Sequence, residues 1–80
     1  MITQYIHAAM GKATYSILEE DGTYYGEIPG FPGVWANAKT LEICRDELEQ
    51  VLEEWILFRV HQHLELPEVD GLTLKVSEVA

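Results

Sequence analysis

Hydrophobic and polar positions follow two different periods along this chain, and the change of period divides it into elements. In residues 1–10 the apolar positions are Ile2, Tyr5, Ile6 and Ala9, with Met10 beside them. That spacing predicts a short helix, and Gly11 suits its end. Residues 13–19 contain the strand formers Thr14, Tyr15 and Ile17 and predict a strand. Asp21-Gly22 follows, between two strand-like runs. This pair predicts a type I′ hairpin turn, which requires positive φ at both central residues. A second strand is expected over 23–28, with Tyr24 and Ile28 pointing one way and Tyr25 and Glu27 the other. Pro29-Gly30-Phe31-Pro32-Gly33 then interrupts the ladder and forces a turn. Residues 34–39, carrying Trp35, predict a third short strand.

Thr40 is a good N-cap, and Glu42 in the first turn favours the helix dipole. Ile43 stands where a capping box would need Glu or Gln. The helix is expected from about 41 to about 64. Its main apolar stripe is read as Leu41, Cys44, Leu48, Val51, Leu52, Trp55 and Phe58. Leu57, Val60 and Leu64 fall roughly opposite that stripe, so the distal part of the helix is apolar on two sides. The C-terminal tail or a second subunit could cover the extra face, which makes Leu57, Val60 and Leu64 the candidate oligomer interface. Pro67 closes the helical region. Leu72, Leu74 and Val76 alternate with polar residues and predict a final strand. The expected fold is α+β in one domain over 1–80: a short helix, a three-stranded antiparallel meander, a long helix and a last strand.

Length and charge then narrow the function. A chain of 80 residues buries only about 60% of the surface its unfolded form exposes, so self-association or a partner would help it. Fourteen Asp and Glu against five Lys and Arg give a net charge of −9. Such a surface repels phosphate and disfavours direct nucleic-acid binding, but it draws in a basic protein. The lone Cys44 excludes an internal disulfide. No signal peptide and no membrane-spanning run is visible, so the expected location is the cytoplasm.

Candidate chemistry adds little. Two-metal hydrolysis needs converging carboxylates. The predicted strands hold no Asp, Asp21 lies in the turn, and only Glu19 and Glu27 are near. His61 and His63 are two residues apart, which puts them on different helix faces, and Cys44 falls in the core stripe. His7 is remote from both in sequence. An enzyme ranks last among the readings, with no catalytic residue, metal or cofactor expected. The aromatics near the hairpin are more telling, since aromatic side chains dominate interface hot spots. Tyr25 and Glu27 share a strand face and lead the candidate contacts with a basic partner; Trp35, Glu20 and Asp21 complete the set.

These residues also carry a resemblance. The run from Tyr24 through Gly26-Glu27-Ile28-Pro29-Gly30-Phe31-Pro32-Gly33-Val34 resembles the pattern of the HicB antitoxin family. There a strand with an aromatic leads into a proline, two variable residues and a glycine. Thr40-Leu41-Glu42 opens the helix as in that family, and Cys44, Leu48, Leu52, Glu53, Trp55 and Ile56 continue it. The segment Glu65-Leu66-Pro67 follows in the expected place. The resemblance covers about residues 14–67. It implies a partial ribonuclease-H-like fold and an antitoxin that masks the active site of a small basic HicA-type ribonuclease toxin. Many such proteins add a C-terminal DNA-binding domain, and neither DNA binding nor the dimerisation it supports is carried over to this chain. The alternative is a solitary HicB-like domain, a homo-oligomer (dimer or tetramer) with another binding role.

Overall fold

The computed structural model describes residues 2–74. Helix α1 spans Ile2–Met10, strands β1, β2 and β3 span Thr14–Ile17, Tyr24–Glu27 and Trp35–Ala38, and helix α2 spans Leu41–His61. The strands form one antiparallel sheet in the order β1-β2-β3. Tyr15 lies opposite Gly26, and Gly26 opposite Ala36; Tyr25 lies opposite Asn37, and Glu27 opposite Trp35. The fold is α+β as expected.

Packing follows from the strand period. Gly26 and Ala36 are buried and face α2, and the Cys44 thiol lies 3.6 Å from the Ala36 carbonyl oxygen. Small groups there let helix and sheet approach closely. A Cβ on Gly26 would fall 2.8 Å from the Tyr15 ring and 3.2 Å from Cys44 Sγ. The Tyr15 ring thus fills the space that the glycine leaves on its strand. Helix α1 lies against α2 and buries Tyr5, Ala9 and Met10. The Tyr5 hydroxyl donates to the Pro67 carbonyl, tying the chain after α2 to the first helix. Burial pushes the Tyr5 phenol up, and the charge of Arg59 partly offsets this.

Residues 28–34, expected only as an interruption, are part of the core. Phe31 N–H donates to Ile28 O and Val34 N–H to Phe31 O, each at 3.1 Å. Gly30 and Gly33 have φ of 87° and 90°. These are two successive turns with proline second and a positive-φ glycine third, the type II arrangement. Their three-residue repeat aims Ile28, Phe31 and Val34 inward, and all three are buried. Phe31 meets Tyr5 at 6.3 Å and Trp55 at 5.1 Å between ring centroids.

Several expectations are corrected. The buried stripe of α2 is Cys44, Leu48, Leu52 and Ile56. Val51 and Trp55 are half-buried beside it, while Leu41 and Phe58 are 42% and 59% exposed. The stripe turns toward Ile56 because α1 packs on that flank, where Arg45, Glu49 and Glu53 meet Thr3, Ile6, His7 and Met10 across a crevice.

The helix also stops at His61, short of Leu64. There His63, with φ of 58°, donates its N–H to Val60 O, and Leu64 donates to Arg59 O. That pair of bonds is a Schellman closure, made here without glycine. At the other end Thr40 caps as expected, its Oγ1 accepting from Ile43 N–H at 3.1 Å.

Asp21-Gly22 is not a type I′ turn. Gly22 alone has positive φ there, and its N–H reaches back to Leu18 O at 2.8 Å, closing a wider loop. The Asp21 carboxylate accepts from Thr23 N–H and Oγ1 at 3.0 and 2.7 Å, and these bonds hold it below the usual carboxylate range. The paired positive φ occurs instead at the other Asp-Gly, Asp70-Gly71, at 48° and 77°. Val69 and Leu72 exchange backbone hydrogen bonds across it. That small bridge replaces the start of the expected final strand. Leu74 packs on the core outside any strand, and Val76 lies outside the described residues.

Candidate partner-docking face

One face of the sheet carries α2, and among the described residues no helix or strand packs on the other. Strand alternation puts Thr14, Ser16, Tyr25, Glu27, Trp35 and Asn37 on that open face. Glu27 is the one charged residue among these six.

Cross-strand geometry builds the centre of the face. Tyr25 and Trp35 lie diagonally across the β2–β3 pair, and their rings stack at 6.0 Å with 24° between planes. Trp35 remains 53% exposed. The Tyr25 hydroxyl donates to Glu27 Oε1 at 3.1 Å. Desolvation first, then the hydrogen bond and the charge of Glu27, raise the Tyr25 phenol above its ordinary value. It therefore stays a donor, and the carboxylate is held facing the aromatic pair. The Asn37 amide donates to Thr23 Oγ1 and to Tyr24 O, each at 2.8 Å, which fixes the far side of the pair. The two proline-glycine turns rim the other side and close a shallow groove, lined by Tyr25, Glu27, Trp35 and residues 28–34. A flat aromatic pair beside a fixed carboxylate suits a lysine or arginine side chain, which gains from ring faces and carboxylate together.

The structure gathers Tyr25, Glu27 and Trp35 but not all five residues of the expected contact set. Glu20 and Asp21 sit in the β1–β2 loop, at the end of β2 away from Glu27. Sequence reasoning missed Asn37 and the groove rim; the alternation from Trp35, and the repeat Ile28-Pro29-Gly30-Phe31-Pro32-Gly33-Val34, were the available signals.

Of the expected oligomer residues, Leu57 and Leu64 are 62% and 46% exposed, whereas Val60 is half-buried on the core. Phe58 takes its place on the exposed surface. Cys44 is fully buried, and desolvation followed by Glu47 pushes its thiol up, away from reactivity. Among the described residues no three His, Cys, Asp or Glu converge as metal ligands, and no helix is long and apolar enough to cross a membrane.

Fold and face together define a small α+β domain with a two-turn proline-glycine loop and one uncovered sheet face. The chain belongs to the family described as UPF0150-like, whose pattern matches residues 4–67. It is similar to the crystal structure of TTHA0281 from Thermus thermophilus, with 35% identity and a TM-score of 0.90 over 96% of this chain and 95% of that one. Among curated proteins none matches it.

Proposed function

We propose that this domain is an antitoxin-like binding protein that sequesters a small basic HicA-type ribonuclease by masking its active site. The observation that carries the reading is the open sheet face, where the Tyr25–Trp35 stack and the hydrogen-bonded Glu27 form a receptor for a basic side chain. The net charge of −9 supports it, because a basic partner is steered to such a surface and a nucleic acid is not. The HicB-like order of residues from Tyr24 to Pro67 supports the choice of partner. In this reading the chain performs no chemistry and uses no cofactor. Masking is steric and electrostatic, and it takes place in the cytoplasm.

The test is capture from the source cell on the immobilised full chain, at low and high salt, beside a W35A/E27Q variant. A small basic protein held by the native chain at low salt, released by salt and not held by the variant is expected. Once purified, it should cleave RNA and lose that activity when the native chain is added. Equal capture by the variant, or cleavage untouched by the native chain, would sink the proposal.

A further inference from the structure

A second groove lies between the proline-glycine turns and the last turns of α2. Trp55 and Arg59 are four residues apart and share a face of that helix. The Arg59 guanidinium lies 4.7 Å from the Trp55 ring centroid, and its Nε donates to Glu65 O at 2.8 Å. These contacts fix the plane of the fork, and among the described residues its two Nη amino groups make no hydrogen bond. No carboxylate of those residues pairs with it, whereas Lys12 is paired with Asp70 at 2.8 Å. The helix-end carbonyls do not compete for it, because Phe58 O, Arg59 O and Val60 O accept from the backbone N–H groups of Gln62, Leu64 and His63. An arginine held flat yet unpaired in a chain with fourteen Asp and Glu is a preorganised receptor for a carboxylate from outside. The groove around it has a volume of about 280 Å³, with apolar walls from Pro32, Trp55, Leu66 and Pro67. Gly30 and Pro32 also line the groove on the sheet face, so the two run together over one turn.

We infer that this groove binds the C-terminus of a protein chain that ends in an apolar residue. The terminal carboxylate takes the two Nη groups end-on, in two parallel N–H···O bonds, since Nε is already engaged. The last side chain covers the apolar walls. A C-terminal residue carries its carboxylate and its side chain on one carbon, which matches a fork set among apolar groups. An Asp or Glu side chain brings the charge with no apolar group beside it, and would leave those walls wet. The residues before the terminus pass over Gly30 and Pro32, where the continuous surface gives a chain room that a free small acid would not use. Glu65 also lines the groove and is exposed, so its carboxylate opposes the ligand through solvent and weakens binding only modestly. The site does not depend on what Glu27 holds on the sheet face.

The chain has two tryptophans, one in each groove, so their indole N–H resonances report the two sites separately in the nitrogen-15-labelled full chain. Titration with the acetylated tripeptide glycyl-glycyl-leucine, its C-terminus free, should shift Trp55 and leave Trp35 in place. The same peptide as its C-terminal amide should bind about tenfold or more weakly, through loss of the charge-assisted pair. The amidated peptide ending in aspartate, whose only carboxylate is a side chain, should also bind more weakly than the free leucine terminus. R59Q should abolish the Trp55 shift. E65Q leaves the fork in place and should tighten binding by about two- to threefold. No shift at Trp55, or equal binding of the amide or of the aspartate peptide, overturns the inference. So does a Trp35 that moves as far as Trp55, or binding that R59Q leaves unchanged or E65Q makes weaker. E27Q should keep the Trp55 response, so failure here is distinct from failure of the sheet-face reading.

Discussion

Replacing Gly26 with alanine tests how closely α2 sits on the sheet. Gly26 does not have positive φ, so alanine fits its backbone. At such a position the change ordinarily stabilises by about 0.4–1 kcal/mol through the unfolded chain. Here the neighbours reverse the sign. The new methyl would lie 2.8 Å from two carbons of the Tyr15 ring and 3.2 Å from Cys44 Sγ. Cys44 is fully buried on α2 and cannot swing out to solvent, whereas Tyr15 is half-buried and can yield by rotating. Overpacking of this kind costs about 1–3 kcal/mol, so the net expectation is a loss of about 1–2 kcal/mol. For a domain of this size that lowers Tm by roughly 5–10 °C. Thermal melts of the native chain, G26A, Y15A and G26A/Y15A measure it. With the ring gone, the cost of Gly26→Ala should fall below about 0.5 kcal/mol, a coupling expected only for groups in contact. An unchanged or higher Tm for G26A would refute the close approach. An equal cost in both backgrounds would show that the ring is not the obstacle.

Two further outcomes are expected. Y5F removes the hydroxyl bonded to Pro67 O and should cost about 1 kcal/mol in urea denaturation. The Tyr5 phenol is raised by burial, so its stabilisation is complete below the unfolded value of about 10 and is lost as pH rises through the higher folded value. The alkaline limb of stability should therefore be shallower in Y5F, and identical limbs would count against the buried hydroxyl. Asp21 is lowered by its bonds to Thr23, so its contribution is present above about pH 4 and lost as pH falls through the folded value. D21A should flatten the acid limb of Tm against pH, and T23A, which removes the hydroxyl but keeps the backbone N–H, should flatten it in part; an unchanged limb in both would count against these bonds.

What the chain determined alone is what neighbours along the chain can decide. The 3.6 and 2.0 periods placed α1, the three strands and most of α2, and Thr40 was readable as a cap because capping involves only the next three residues. Strand alternation likewise put Tyr25 and Glu27 on one face. Tertiary structure decided the rest. Each strand of four residues is shorter than α2, so the helix outruns the sheet, and the arc it buries depends on α1, Phe31 and the chain near Pro67. Ile56 is covered and Phe58 is not for that reason, although both are apolar and suited to either place. The two Asp-Gly pairs differ in the same way. Asp70-Gly71 takes paired positive φ between residues that bridge directly, while the loop from Leu18 to Thr23 spans more residues and leaves that demand to Gly22 alone. Local chemistry fixes what a segment can form; which of its surfaces loses water is set by what the rest of the chain brings beside it.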